Sequence, residues 1–289
     1  MMITAANQGS QIQIDTLSLG VTIDGTDWSF TSITGWVDPA PMRDRMVDRP
    51  SADGLYDSRP YRGGRLIVLD GFVAGPRAAL AAAQDVLAAT AGDGQLGSFT
   101  FTDPDLGVRG CQVRLTGNPM IDASAVEAGM LRWQLAFKAP DWRKYGAAQT
   151  LTAGLRTGGT GLTYPLLYPL LYGAAATGGV VTFTNTGTAP TEPVVVVTGP
   201  FAAGFEITHV ETGRRLRYAA TVGSDLVLDC AAGTALTQGQ ERATSLTIRE
   251  WFSIPAGATA TFSLSSLGGE TAATAPTAGM TVTISPAYS

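Results

Sequence analysis

Apolar side chains recur at every second position through most of this 289-residue chain, and that period constrains its fold more than any other feature. Between Leu131 and Lys138 the pattern is unbroken: Leu131, Trp133, Leu135 and Phe137 alternate with Arg132, Gln134, Ala136 and Lys138. A helix would scatter these residues around its circumference, whereas a strand puts the first set on one face and the second on the other. The same alternation runs through Ile12 and Ile14, through Leu17, Leu19, Val21 and Ile23, and through Trp28 and Phe30. Asp24-Gly25 lies between two such runs and predicts a hairpin turn, because glycine tolerates the positive φ of a tight turn. Leu66 to Val73 is a near-continuous apolar run, read as a buried strand with Gly71 as the expected place for a bulge.

Helical spacing occurs once. Pro76 fits a first helical turn, Leu80, Ala83 and Leu87 repeat at helical intervals, and Gly92 ends the segment, so a helix is predicted over about 76–91. Strand patterning resumes at Phe99 and Phe101 and at Cys111, Val113 and Leu115. After Gly178 about eight short strands are expected: 180–184, 193–198, 205–210, 215–219, 226–229, 245–252, 259–264 and 280–284. With 35 Gly and 16 Pro to supply turns and only 15% charged residues, the predicted class is mainly β. The length is about twice that of an ordinary ~100–150-residue domain, so two domains are expected. The divisions predicted are a β domain with one helix over 1–146, an extended Pro/Gly-rich connector over 147–175, and a β-sandwich over 176–289. The connector holds the repeat Tyr164-Pro165-Leu166-Leu167-Tyr168-Pro169-Leu170-Leu171-Tyr172-Gly173, whose proline spacing favours extended backbone.

Several functions are excluded or disfavoured by composition. Net charge is −5, from 19 basic and 24 acidic residues, so the basic face that nonspecific nucleic-acid binding needs is lacking. Cys111 and Cys230 are the only thiols and form no metal-binding motif, and no cofactor or metal is expected. His209 is the sole histidine, which disfavours a Ser-His-Asp relay; it shares parity with Phe205 and Ile207 and is read as a packed residue. Glu206, Glu211 and Glu250 are carboxylates of the kind a glycosidase uses, but sequence selects no pair among them, and no enzyme is expected. The start of the chain carries no basic, apolar leader, so synthesis in a cytoplasm is expected, and Pro and Gly interrupt its longest uncharged stretch, so no membrane contact is expected.

Residues 38–65 lose the alternation and mix five aspartates with six arginines and four prolines. A loop of that length is usually either functional or a disordered, solvated excursion; on the functional reading, guanidinium groups suit bidentate pairing with carboxylates of a neighbour. Arg43, Arg45, Arg49, Tyr56, Arg59, Tyr61, Arg62 and Arg65 are therefore the candidate subunit or partner interface. Trp251 and Phe252 are a candidate aromatic platform for a glycan, with packing as the alternative use.

The charged loop leads to Tyr61-Arg62-Gly63-Gly64-Arg65-Leu66-Ile67-Val68-Leu69-Asp70-Gly71, and the first half exits through Ala139-Pro140-Asp141-Trp142-Arg143-Lys144-Tyr145-Gly146. The Tyr-Pro repeat follows, then Phe183-Thr184-Asn185-Thr186-Gly187, Pro193-Val194-Val195-Val196 and Ser253-Ile254-Pro255-Ala256-Gly257, with Ser285-Pro286 near the end. In this order they resemble the distal tail proteins of long-tailed, noncontractile bacteriophages, especially those of actinobacterial hosts. The resemblance implies a virion protein at the distal end of the tail, assembled as a homohexameric ring. It implies that the first half builds the ring and that the second, a galectin-like β-sandwich, projects outward. Implied partners are the tail tube protein, a tail-associated hub protein and the tape measure protein, with DNA passing through the channel unbound. The alternative is a carbohydrate-binding β-sandwich that recognises host wall glycans directly.

Overall fold

The computed structural model describes residues 3–4, 9–90, 92–157 and 178–289. Its strands pair antiparallel, and the described residues contain one α-helix, Arg77–Ala89. The chain divides into two units, residues 1–146 and 147–288. The Tyr-Pro repeat lies outside the described residues.

In the first unit, Thr26–Thr34, Arg65–Ala74, Met130–Ala139, Gly107–Leu115, Gly97–Asp103, Gln11–Ile14 and Leu17–Leu19 pair in that order. The centre is a ten-residue pairing of Arg65–Ala74 with Met130–Ala139, in which Ile67 faces Phe137 and Leu69 faces Leu135. All four side chains are fully buried, so the parity read in the sequence is the parity of the core. The register against Thr26–Thr34 shifts between Asp70 and Gly71, leaving Thr31 as the extra residue of the bulge. Gly71 is required there: a Cβ would lie 2.2 Å from the Trp133 ring and 2.4 Å from the Ser29 carbonyl. The helix lays Leu80, Ala83 and Leu87 into this core. Burial of each leucine contributes about 1.5–3 kcal/mol relative to an exposed position.

The second unit is a sandwich of two sheets. One orders Gln149–Gly154, Gly279–Ile284, Val194–Thr198, Leu226–Asp229, Thr234–Thr237 and Gln240–Glu241; the other orders Val180–Thr184, Thr259–Ser266, Phe205–His209, Arg215–Tyr218 and Leu246–Arg249. Val195, Val197, Leu228 and Val282 from the first sheet meet Phe183, Ile207, Phe262 and Leu264 from the second in one core. On the outer faces threonines pair across strands, Thr150 with Thr283 at 3.0 Å and Thr184 with Thr259 at 3.1 Å.

Three strands of this unit carry no clear alternation in sequence. Gln149–Gly154 falls in the expected connector, yet it pairs along its whole length with Gly279–Ile284. Its only buried side chain is Ala153, so it shows no apolar periodicity. Thr234–Thr237 and Gln240–Glu241 are short and mostly polar.

Candidate assembly interface

The charged stretch 38–65 is organised as a projecting β-hairpin arm. Its root pairs Met42–Arg43 with Tyr61–Arg62, and its outer tier pairs Val47–Asp48 with Leu55–Tyr56. The outward turn closes through the Arg49 N–H donating to the Gly54 carbonyl at 3.1 Å, with Gly54 at φ +90°. Ladders this short have no core of their own: Val47, Tyr56 and Tyr61 are 63%, 58% and 60% exposed. Both faces meet solvent, so no period of two marks the segment.

The candidate interface residues divide sharply. Arg43, Arg45, Arg49, Tyr56, Arg59 and Tyr61 are exposed on the arm. Arg49 lies over the Tyr56 ring at 5.5 Å and Arg59 over Tyr61 at 5.9 Å. Arg62 is half-buried at the root, 4.8 Å over Trp142. Arg65 is not an interface residue within this chain's geometry: it is 1% exposed. It is the first residue of the central strand and shares the inward parity of Ile67 and Leu69, which places its guanidinium inside the unit.

There Arg65 Nη1 donates to the carbonyls of Gly35 at 2.7 Å, Trp36 at 3.1 Å and Asp38, and Nη2 donates to that of Trp142 at 3.2 Å. Lys144 Nζ donates to the same Trp36 carbonyl at 3.0 Å and lies over the Trp36 ring. Burial, and after it the charge of Arg65, pushes the Lys144 ammonium down to about 8. Asp141 accepts from the Tyr145 hydroxyl at 2.6 Å and from Arg143 Nε at 3.2 Å. Its burial alone would raise it, but these hydrogen bonds win and hold it below the usual carboxylate range. The segments Tyr61–Gly71 and Ala139–Gly146 are thus two halves of one interlock at the root of the arm.

A second interlock closes the sandwich. Asn185, fully buried, donates through Nδ2 to the carbonyls of Ala189 at 2.9 Å, Ile254 at 3.2 Å and Pro255 at 3.1 Å, and its Oδ1 accepts from the Gly187 N–H at 3.1 Å. The Asn185 and Gly257 backbones complete the tie, Asn185 N–H to Ala258 and Gly257 N–H to Asn185. The segments 183–187 and 253–257 are joined by one amide.

Residues 186–275 match the family of siphovirus-type tail components, C-terminal domain, of SPP1 Dit type. The second unit carries a siphovirus-type tail component C-terminal domain. The crystal structure of phage SPP1 Dit, described as a paradigm of the hub adsorption apparatus in phages infecting Gram-positive bacteria, is similar over 97% of this chain and 99% of that one. The TM-score is 0.65 at 15% identity, a likeness of fold. Two structures of the phage p2 baseplate in its activated conformation, with Ca and with Sr, each cover 95% of this chain and 97% of theirs at 8% identity, with TM-scores of 0.49 and 0.48. No curated protein sequence matches the chain.

Within the tail-component domain the aromatic pair separates. Phe252 is 1% exposed and packs against Phe262 at 5.2 Å and His209 at 6.0 Å, so it cannot meet a sugar face. The chain has already left the strand Leu246–Arg249, and strand parity says nothing of which of the two aromatics turns inward. Trp251 is half-buried, with its indole against Gly233 and its carbonyl taken by Arg214 at 3.1 Å. His209 is 3% exposed, its Nδ1 bonded to the Thr212 hydroxyl, and burial holds it below the ordinary histidine range. The three glutamates tie strands: Glu206 pairs with Arg215 at 3.8 Å, Glu250 accepts from the Arg215 N–H at 2.7 Å, and Glu211 from the Thr261 N–H at 2.8 Å.

Proposed function

We propose that this chain is a structural subunit of the distal tail of a long-tailed, noncontractile phage, made in the host cytoplasm and working by assembly without turnover. The first unit builds a homohexameric ring that joins the tail tube protein to the tail-associated hub and tape measure proteins, and the tail-component domain projects from it. The membership of residues 186–275 supports the tail setting. The observation that carries the assembly reading is the arm, a β-hairpin with an apolar, arginine-rich surface and no core beneath it.

The energetics favour a ring over a pair. Burying Val47, Leu55, Tyr56 and Tyr61 against a neighbour would contribute about 1.5–3 kcal/mol each, gross. Association costs about 4–15 kcal/mol in lost freedom, so one arm contact is marginal. A closed ring in which every subunit gives and receives an arm gains the last contact with no further loss of translational freedom. A ring of six would carry −30 from chains of −5, which keeps passing DNA from adhering. The burial of Phe252 weakens the direct glycan reading that relied on it.

The test is the pair Val47→Asp, Tyr56→Ser at the outer tier, read by light scattering after size exclusion, alone and with the tail tube protein. The expected result is loss of oligomer or co-assembly with an unchanged circular dichroism spectrum. Wild-type assembly by the variant would refute the role of the arm.

A further inference from the structure

A site that none of this uses lies wholly in the tail-component domain. The strands Arg215–Tyr218 and Thr234–Thr237, the turn Ala243–Ser245 and the loop 220–224 enclose a cleft of about 290 Å³. It is lined by Tyr218, Thr221, Ser224, Thr237, Arg242 and Ser245, with no carboxylate among its lining residues. Its walls are fixed by backbone bonds: Ala219 N–H to Ser245 at 3.0 Å, Arg242 N–H to Ala235 at 2.7 Å, and the reciprocal bridge of Phe201 and Val222.

The side chains, by contrast, are left with open valences. Tyr218 lines the cleft, 5% exposed and stacked on Phe205 at 5.7 Å, and its hydroxyl makes no hydrogen bond to the described residues. A buried tyrosine that presents only its hydroxyl is a rigid donor needing a partner. Thr221 donates to the Ala202 carbonyl at 2.9 Å, which leaves its lone pairs to accept. Arg242 is an exposed residue at the rim of the cleft, and its guanidinium has no acidic or carbonyl partner among the described residues. Its sequence neighbour Glu241 is spent on the N–H groups of Ala235 and Ala243.

We infer that this cleft binds a small anion bearing vicinal hydroxyls, one residue of an acidic glycan or a phosphorylated polyol. Arg242 takes the charge, and the hydroxyls of Tyr218, Ser224, Thr237 and Ser245 exchange hydrogen bonds with those of the ligand. The volume, near the ~300 Å³ lower bound of ligand pockets, suits a single such residue. The site shares no residue with the arm or with Trp251, and it stands or falls separately from the assembly reading.

The experiment titrates the full chain by NMR or calorimetry with D-glucuronate, glycerol 3-phosphate, glucose and inorganic phosphate. Saturable binding of glucuronate is expected if the source is an acidic sugar, and of glycerol 3-phosphate if it is a phosphorylated polyol, with glucose at least about tenfold weaker. Arg242→Gln should weaken the bound anion about tenfold, and Tyr218→Phe, which keeps the stacked ring, about three- to tenfold, with circular dichroism unchanged. No saturation by either polyol anion at about 10 mM, where millimolar sites fill, would overturn the assignment. So would equal affinity for inorganic phosphate, or binding that survives both substitutions.

Discussion

Replacing Arg65 by methionine should unfold the first unit at much lower denaturant while leaving the tail-component domain unmoved. The guanidinium serves four backbone carbonyls, those of Gly35, Trp36, Asp38 and Trp142. Hydrogen bonds from a charged donor are worth about 1.5–3 kcal/mol each, and with the two N–H groups of Nη1 shared among three carbonyls the set amounts to about 4.5–9. Against them stands the cost of holding a cation out of water, several kcal/mol after relaxation, and since acceptors left unpaired cost about 1–3 kcal/mol each, the net loss expected is about 3–5 kcal/mol. Methionine matches the stem and supplies no donor, so the carbonyls of Gly35, Asp38 and Trp142 lose their partner while that of Trp36 keeps Lys144 Nζ. The assay is urea unfolding of the full chain at fixed concentration, followed by tryptophan fluorescence. Trp28, Trp36, Trp133 and Trp142 lie in the first unit and Trp251 alone in the second, so a Trp251→Phe background reports the first unit only. With a slope near 2 kcal/mol/M, the midpoint should fall by about 1.5–2.5 M. Arg65→Lys should lose about half as much, since a point charge cannot span carbonyls on two sides. A loss below about 1 kcal/mol for methionine would mean that the guanidinium is not committed to the fold.

The pH dependence of the same unit follows from Lys144. Its folded value of about 8 lies below the ordinary 10.5, so the burial cost is carried in full below pH 8 and relieved as pH rises toward 10.5. Stability should climb by at most about 3 kcal/mol across that interval, and a Lys144→Met variant, compared at each pH by urea midpoint, should lack the rise. Asn185→Ala should cost the tail-component domain about 2–4 kcal/mol, read by thermal unfolding, because the Ala189 carbonyl and the Gly187 N–H lose their partner, while the Ile254 and Pro255 carbonyls keep the N–H groups of Thr191 and Ala258. Arg62→Ala removes a partly exposed cation–π contact worth about 0.5–1 kcal/mol, so the first unit should keep its urea midpoint within that margin while oligomer yield falls through a freer arm.

Legibility in the sequence followed burial of one face. Met130–Ala139 and Arg65–Ala74 could be read because each shows the core one side and solvent the other. The helix could be read because Leu80, Ala83 and Leu87 form a single buried stripe. The arm could not, since its ladders are exposed on both faces and composition is the only trace it leaves. Gln149–Gly154 was hidden for a related reason: as an edge strand it buries one alanine. Arg65 had a usable signal that its charge obscured. Counting back by twos from Val73 through Leu69 and Ile67 arrives at residue 65, on the inward face. Phe252 had no such signal, because it lies beyond the end of its strand.

The two interlocks answer one physical problem. When a strand ends and the chain departs, the ladder stops and the carbonyls just beyond it have no neighbour, yet they lie too close to the core for water. At the arm those carbonyls belong to Gly35, Trp36 and Asp38, on the departing side, and the group that satisfies them is carried by Arg65, the first residue of the returning strand. The excursion of residues 39–64 is thereby pinned where its two ends meet by a side chain, in addition to the pairing of Met42–Arg43 with Tyr61–Arg62. In the sandwich a neutral amide suffices, since the Asn185 turn and the segment 254–255 present their carbonyls within reach of one Nδ2. The guanidinium is used where the carbonyls lie on both sides of the group, at Gly35 to Asp38 and at Trp142, and that span sets the choice of residue at each lock.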